Sequence, residues 1–141
     1  MIFKQIKDDY IVRIDKGELL TENLLRLTKD QNIMGAWISG LGGALWAEVG
    51  FYNLTDKQYK SQKIEKLLEI TSLTGNISWM GAEPVLHIHG TFSDEDMGTY
   101  GGHVLELAVA GTCELHLTAT NEPINRMRSE EVGLNLLNLE N

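Results

Sequence analysis

Gly17-Glu18-Leu19-Leu20-Thr21-Glu22-Asn23-Leu24-Leu25-Arg26-Leu27 is the stretch that decides the fold, because the helical period shows there. Leu20, Leu24 and Leu27 recur at i, i+4 and i+7 and draw one apolar stripe. Glu18 and Glu22 come early and Lys29 late, the order a helix dipole favours. Asn32 is the expected stop, since asparagine tolerates the left-handed backbone that ends helices. On both sides the pattern changes to short β-branched and alternating runs. Tyr10–Ile14 precedes the helix. Ala36–Ser39, Ala47–Tyr52, Tyr59–Ile64, Leu67–Leu73, Asn76–Trp79, Val85–Phe92, His103–Ala110 and Thr112–Thr120 follow it. One early helix followed by many strands predicts an α+β fold, with the helix packed on a largely antiparallel sheet.

The chain has 141 residues, of which 43% are hydrophobic and 23% charged, enough for one core without disulfide or metal support. No Pro-, Ser- or Gly-rich linker divides it, so residues 1–141 read as one domain with a core of about 10–139. Acids outnumber bases 20 to 12, a net charge of −8, and such a surface repels phosphate backbones. The first nine residues contain Asp8 and Asp9 and no long apolar run, so a secretory signal is not expected. No run of about 18 apolar residues suggests a membrane span. Cys113 is the only cysteine, which excludes an intrachain disulfide and fits a reducing, cytoplasmic setting.

Gly40-Leu41-Gly42-Gly43 lacks the Lys-Ser/Thr pair of a phosphate loop, since Ala44-Leu45 follows. It reads as a tight connection between strands where backbone meets backbone. Lys57, Lys60, Lys63 and Lys66 form the one basic run. Their spacing scatters them over both faces of a strand among Asp56, Glu65 and Glu69, so they read as a solvated edge.

The histidines carry more. His87 and His89 alternate with Leu86 and Ile88, so both point to one face while the aliphatics point to the core. Side chains two apart on a strand stand about 6–7 Å apart at Cα, and two imidazoles can converge on one ion across that gap. His103 follows Tyr100-Gly101-Gly102, and a hairpin would bring it beside the other two. Three imidazoles with one open position is the donor set of a catalytic zinc site. His87, His89 and His103 are therefore the candidate metal ligands, with occupancy expected to fall below about pH 6 as imidazoles protonate. The alternative is three ordinary hydrogen-bonded strand histidines. His116 shares a strand face with Glu114 and is expected to be a surface or interface residue. Glu69 and Glu114 are the conceivable acid/base groups beside a metal. Glu106 is expected on a solvent face or in a subunit salt bridge, and Asp94-Glu95-Asp96 at a solvated loop tip.

Taken together, residues 10–139 resemble the plant-and-prokaryote-conserved (PPC or PCC) domain. The resemblance rests on Tyr10–Ile14, Ile38-Ser39-Gly40-Leu41-Gly42, Leu68–Ile77, Leu86-His87-Ile88-His89, Gly101-Gly102-His103-Val104 and Thr112-Cys113-Glu114-Leu115. It implies a single α+β domain assembling as a homotrimer, in a family whose stand-alone members are labelled DNA-binding. Plant relatives carry Arg-Gly-Arg-Pro segments for the minor groove, and this chain has none. The fold also resembles acetolactate decarboxylase, a zinc enzyme with three histidine ligands, and His87, His89 and His103 match such a set. Two functions follow as expectations. One is a DNA-associated regulatory protein acting through protein contacts and binding DNA itself weakly at most. The other is a zinc-dependent enzyme or small-ligand binder. A plain trimeric scaffold is the third reading.

Overall fold

The stripe of Leu20, Leu24 and Leu27 does form a helix, α1 (Leu20–Asp30), and all three side chains are buried. The computed structural model describes residues 1–140. Glu18 lies outside the helix, where it accepts from the main-chain N of Asp15 at 2.9 Å. No side chain of the preceding residue caps α1. Glu106, which reaches over from the sheet, accepts the main-chain N–H of Thr21 at 2.9 Å and also its hydroxyl. A carboxylate at that end satisfies free N–H groups and favours the helix dipole. Glu106 is thus a helix anchor, not the solvent-face or subunit residue expected from its strand position. Asn32 takes φ +51°, and Ile33 N donates to Thr28 O at 3.0 Å, closing the helix as predicted.

Among the described residues nine strands carry the rest: β1 (Ile2–Ile6), β2 (Asp9–Asp15), β3 (Ala36–Asn53), β4 (Gln58–Ile64), β5 (Leu68–Met80), β6 (Glu83–Ser93), β7 (Thr99–Ala119), β8 (Asn125–Ser129) and β9 (Leu134–Asn138). The protein is mostly β, so the expected α+β balance is shifted toward strand. All pairings are antiparallel except the brief one of β5 with β8. Strands β3, β5, β6 and β7 close on themselves, because β3 pairs β5, β5 pairs β6, β6 pairs the start of β7, and β7 pairs β3. No helix among the described residues is long and apolar enough to cross a membrane.

Two expected breaks are absent. Ala36–Ser39 and Ala47–Tyr52 belong to one continuous β3, and the glycines between them form bulges rather than a turn. A Cβ on Gly42, at φ +154°, would stand 2.3 Å from Thr112 O and 2.7 Å from Cys113 Cα. The glycine is needed for backbone approach, as read, but within a strand. Likewise β7 runs unbroken for 21 residues through Gly111. β1, β8 and β9 have no counterpart in the sequence reading. Their residues are exposed or half-buried, so no apolar alternation marks them.

Candidate metal centre

His87 and His89 project from one face of β6, and His103 lies directly opposite His89 on β7. Ile88, between the first two, is buried in the core. The hairpin inferred from Tyr100-Gly101-Gly102 thus brings the three imidazoles together. One potential ligand atom from each lies within 4.8 Å of the others. Ring centroids are 5.1, 5.3 and 5.6 Å apart. Gly75 on β5 sets this arrangement from behind. A Cβ there would meet His87 O at 2.3 Å and Ile88 Cα at 2.8 Å, so only glycine lets β5 seat β6.

The donor set fits a divalent ion. His87 Nε2 and His89 Nε2 are 3.2 Å apart, and a tetrahedral ion with bonds near 2.05 Å holds neighbouring donors about 3.3 Å apart. His103 Nδ1 is buried with no hydrogen-bond partner, as is Asn135 Oδ1 on β9. Burial pushes the His103 pKa down to about 4, helped by charge on His87, His89 and Arg126. Burial first, then Arg126 and His89, lowers His87 as well. Below the ordinary range, both rings keep free lone pairs at neutral pH, as ligation requires. His103 therefore stays neutral well below the pH of about 6 at which an unperturbed histidine charges.

Around the trio stand residues the sequence reading missed. Arg126 on β8 donates from Nε to Ser78 Oγ at 2.7 Å, from Nη1 to Asn135 O at 2.6 Å and from Nη2 to Asn76 Oδ1 at 2.9 Å. Its Nη2 stands 3.4 Å from His87 Nδ1. Tyr59 on β4 packs its ring 5.3 Å from that of His103. The alternation of Arg126 with Arg128 was the one available signal for β8.

The two candidate acids are not at the centre. Glu69 sits opposite Gly43 and Ser93, and Glu114 opposite Arg13 and Leu41, both exposed. His116 is also apart, exposed, with Nε2 at 2.9 Å from Asp9 Oδ2, so its partner is Asp9 rather than Glu114. Asp94 is not a solvated tip. It is buried and accepts from Lys66 Nζ, from Tyr100 Oη at 2.8 Å and from the main-chain N of Gly98 at 2.8 Å. Lys66 first, then Tyr100, holds its pKa down at about 2. Cys113 is buried, which raises its thiol pKa to about 12 and leaves it no nucleophile.

The family model described as the Plants and Prokaryotes Conserved (PCC) domain matches residues 1–121. The chain belongs to this family. The match begins at the first residue and ends short of the β8–β9 hairpin that carries Arg126. Among solved structures, this PCC chain is similar to a candidate DNA-binding protein from Bacteroides thetaiotaomicron, at 30% identity and TM-score 0.96, covering 99% of this chain and 98% of that one. It is similar to a metal-containing protein from Archaeoglobus fulgidus, at 28% identity and TM-score 0.86, covering 97% and 98%. Its fold is also that of α-acetolactate decarboxylase from Bacillus subtilis, at 14% identity and TM-score 0.56, covering 93% of this chain and 60% of that one. No curated protein matches it.

Proposed function

We propose that this PCC-domain chain is a metal-dependent protein that binds one divalent ion through His87, His89 and His103. The observation that carries this is the convergence of three imidazole nitrogens within 4.8 Å. Zinc suits the set, since three imidazoles favour a borderline-soft ion and leave a position for water or a small ligand. When bound, such an ion supplies a Lewis acid and a water of lowered pKa. The chain's own part is to keep His87 and His103 neutral by burial and to orient all three imidazoles from two paired strands. With no acid at the centre, Glu69 and Glu114 have no place in the proposed chemistry.

The description of the Bacteroides neighbour favours a second reading, a DNA-associated role. The lysine edge gives it little support. Lys57 donates to Glu130 O, Lys63 pairs with Glu65 over the Trp46 ring, and Lys66 serves Asp94. Assembly as a homotrimer is part of the proposal. It is supported by apolar side chains left in solvent, among them Phe3, Ile11, Leu41 and Trp37, the last 52% exposed. Trp46 and Trp79 are half-buried and add less to that load.

Elemental analysis of untagged protein dialysed against a mild chelator tests the centre. The wild type and His116→Ala are expected to keep one equivalent of metal, and His89→Ala to lose it. Equal retention in all three would return the histidines to ordinary strand residues.

A further inference from the structure

Four arginines occur in the chain, and Arg126 is the one that is not exposed. Among the described residues it meets no carboxylate. Its acceptors are Ser78 Oγ, Asn135 O and Asn76 Oδ1, all neutral, with His87 Nδ1 at 3.4 Å. A guanidinium has five N–H groups, and the three oxygens occupy three of them. One is left on Nη1 and one on Nη2, because a His87 that ligates through Nε2 carries its proton on Nδ1 and cannot accept. A part-buried cation without a counter-ion is costly. The three clustered imidazoles bring no negative charge of their own. A divalent ion among them adds two positive charges next to Arg126, in surroundings where burial strengthens repulsion. The neighbourhood is therefore short of anionic charge, and nothing described within it supplies any.

We infer that the centre takes a small oxyanion, a carboxylate or a phosphate, with one oxygen at the histidine centre and another answering Arg126. This rests on the metal-site reading above. Beside His89, the one of the three histidines that lines it, a cleft of about 280 Å³ formed by Ser72, Thr74, Thr91 and glycines offers hydroxyls but no acid. Arg126 is a binding residue for the anion in this reading, and its hold on Asn76 and Ser78 keeps it aimed.

Cobalt(II)-loaded protein gives the test, since its visible absorption reports the ligands around the ion. It is titrated with acetate and, separately, with inorganic phosphate. A saturable spectral change with acetate alone assigns a carboxylate, with phosphate alone a phosphate, and with both the shared chemistry. In Arg126→Gln, anion affinity is expected to fall at least about tenfold, the scale of one charged hydrogen bond. Cobalt affinity is expected to rise, because a like charge has gone, and Arg126→Lys should fall between. A merely structural arginine would move both affinities down together, and that result overturns the inference. So does wild-type cobalt protein that answers neither anion. Wild-type protein that takes up no cobalt overturns the metal centre and the anion site with it.

Discussion

Asp94 and Arg126 are both charges drawn in from solvent, yet only Asp94 has its opposite beside it. Lys66 and Tyr100 converge on the Asp94 carboxylate, and the main-chain N–H groups of Asp96 and Gly98 donate to it as well. That cluster is electrically closed and ties β7 and the Asp94 loop to the segment before β5. The histidine centre is the reverse. It gathers three imidazole rings, an orphaned His103 Nδ1 and an arginine that meets no carboxylate among the described residues. A closed charge pair offsets the cost of taking its charges from water, whereas an open one leaves that cost uncompensated. Both contain a titratable group with a shifted pKa, Asp94 and His103, so the shift alone does not tell the two clusters apart. Charge balance does.

The sharpest way to break this comparison is to remove one member from each cluster and weigh metal against stability. His103→Ala is expected to weaken metal binding by more than about 100-fold, beyond the effect of losing an outer partner alone. Asp94→Asn is expected to leave metal content unchanged. Elemental analysis reads both, and metal loss in Asp94→Asn would erase the distinction.

Next in size is Gly75→Ala, which drives a methyl into the backbone of His87 and Ile88. A loss of about 3 kcal/mol is expected in urea unfolding, at the upper end for overpacking, together with weaker metal binding. A drop in stability with metal affinity intact would mean that the seat of β6 does not set the centre.

Acid unfolding sharpens the other side. The Asp94 pKa is depressed from 3.8 to about 2, so the stability it contributes is present above about pH 4 and is lost as pH falls toward 2. Thermal melts of Asp94→Asn should lack that part of the acid decline. A decline identical to the wild type would place the acid sensitivity elsewhere.

The smallest effect concerns duplex DNA. Fluorescence anisotropy is expected to show weak binding without sequence preference, because a net charge of −8 opposes counterion release and three of the four edge lysines, Lys57, Lys63 and Lys66, already hold partners. Tight selective binding at physiological salt would show a local patch overriding net charge.

What could be read from the sequence was what depends on short range. The Leu20–Leu24–Leu27 stripe, the Asn32 stop and the His87–His89 alternation are each set within a few residues. His103 was reachable because only a hairpin separates it from them. Strand continuity through Gly40–Gly43 was not, since a glycine cluster looks the same whether it turns the chain or bulges it. Glu106 as a helix anchor, Asp94 as a buried acid and Arg126 as a neighbour of His87 were also out of reach. Each gains its role from a partner far along the chain: 85 residues away for Glu106 and Thr21, and 39 for Arg126 and His87.

The same separations have a kinetic meaning. His89 and His103 face each other across a single β6–β7 hairpin, whereas Asp9 reaches His116 over 107 positions. Loop-closure entropy makes the longer closure costlier by about 2 kcal/mol. The three imidazoles can thus be gathered by a local event, before the ends of the sheet are joined. Arg126 comes from a hairpin made later in the chain, so during synthesis the rings leave the ribosome first and their positive neighbour follows.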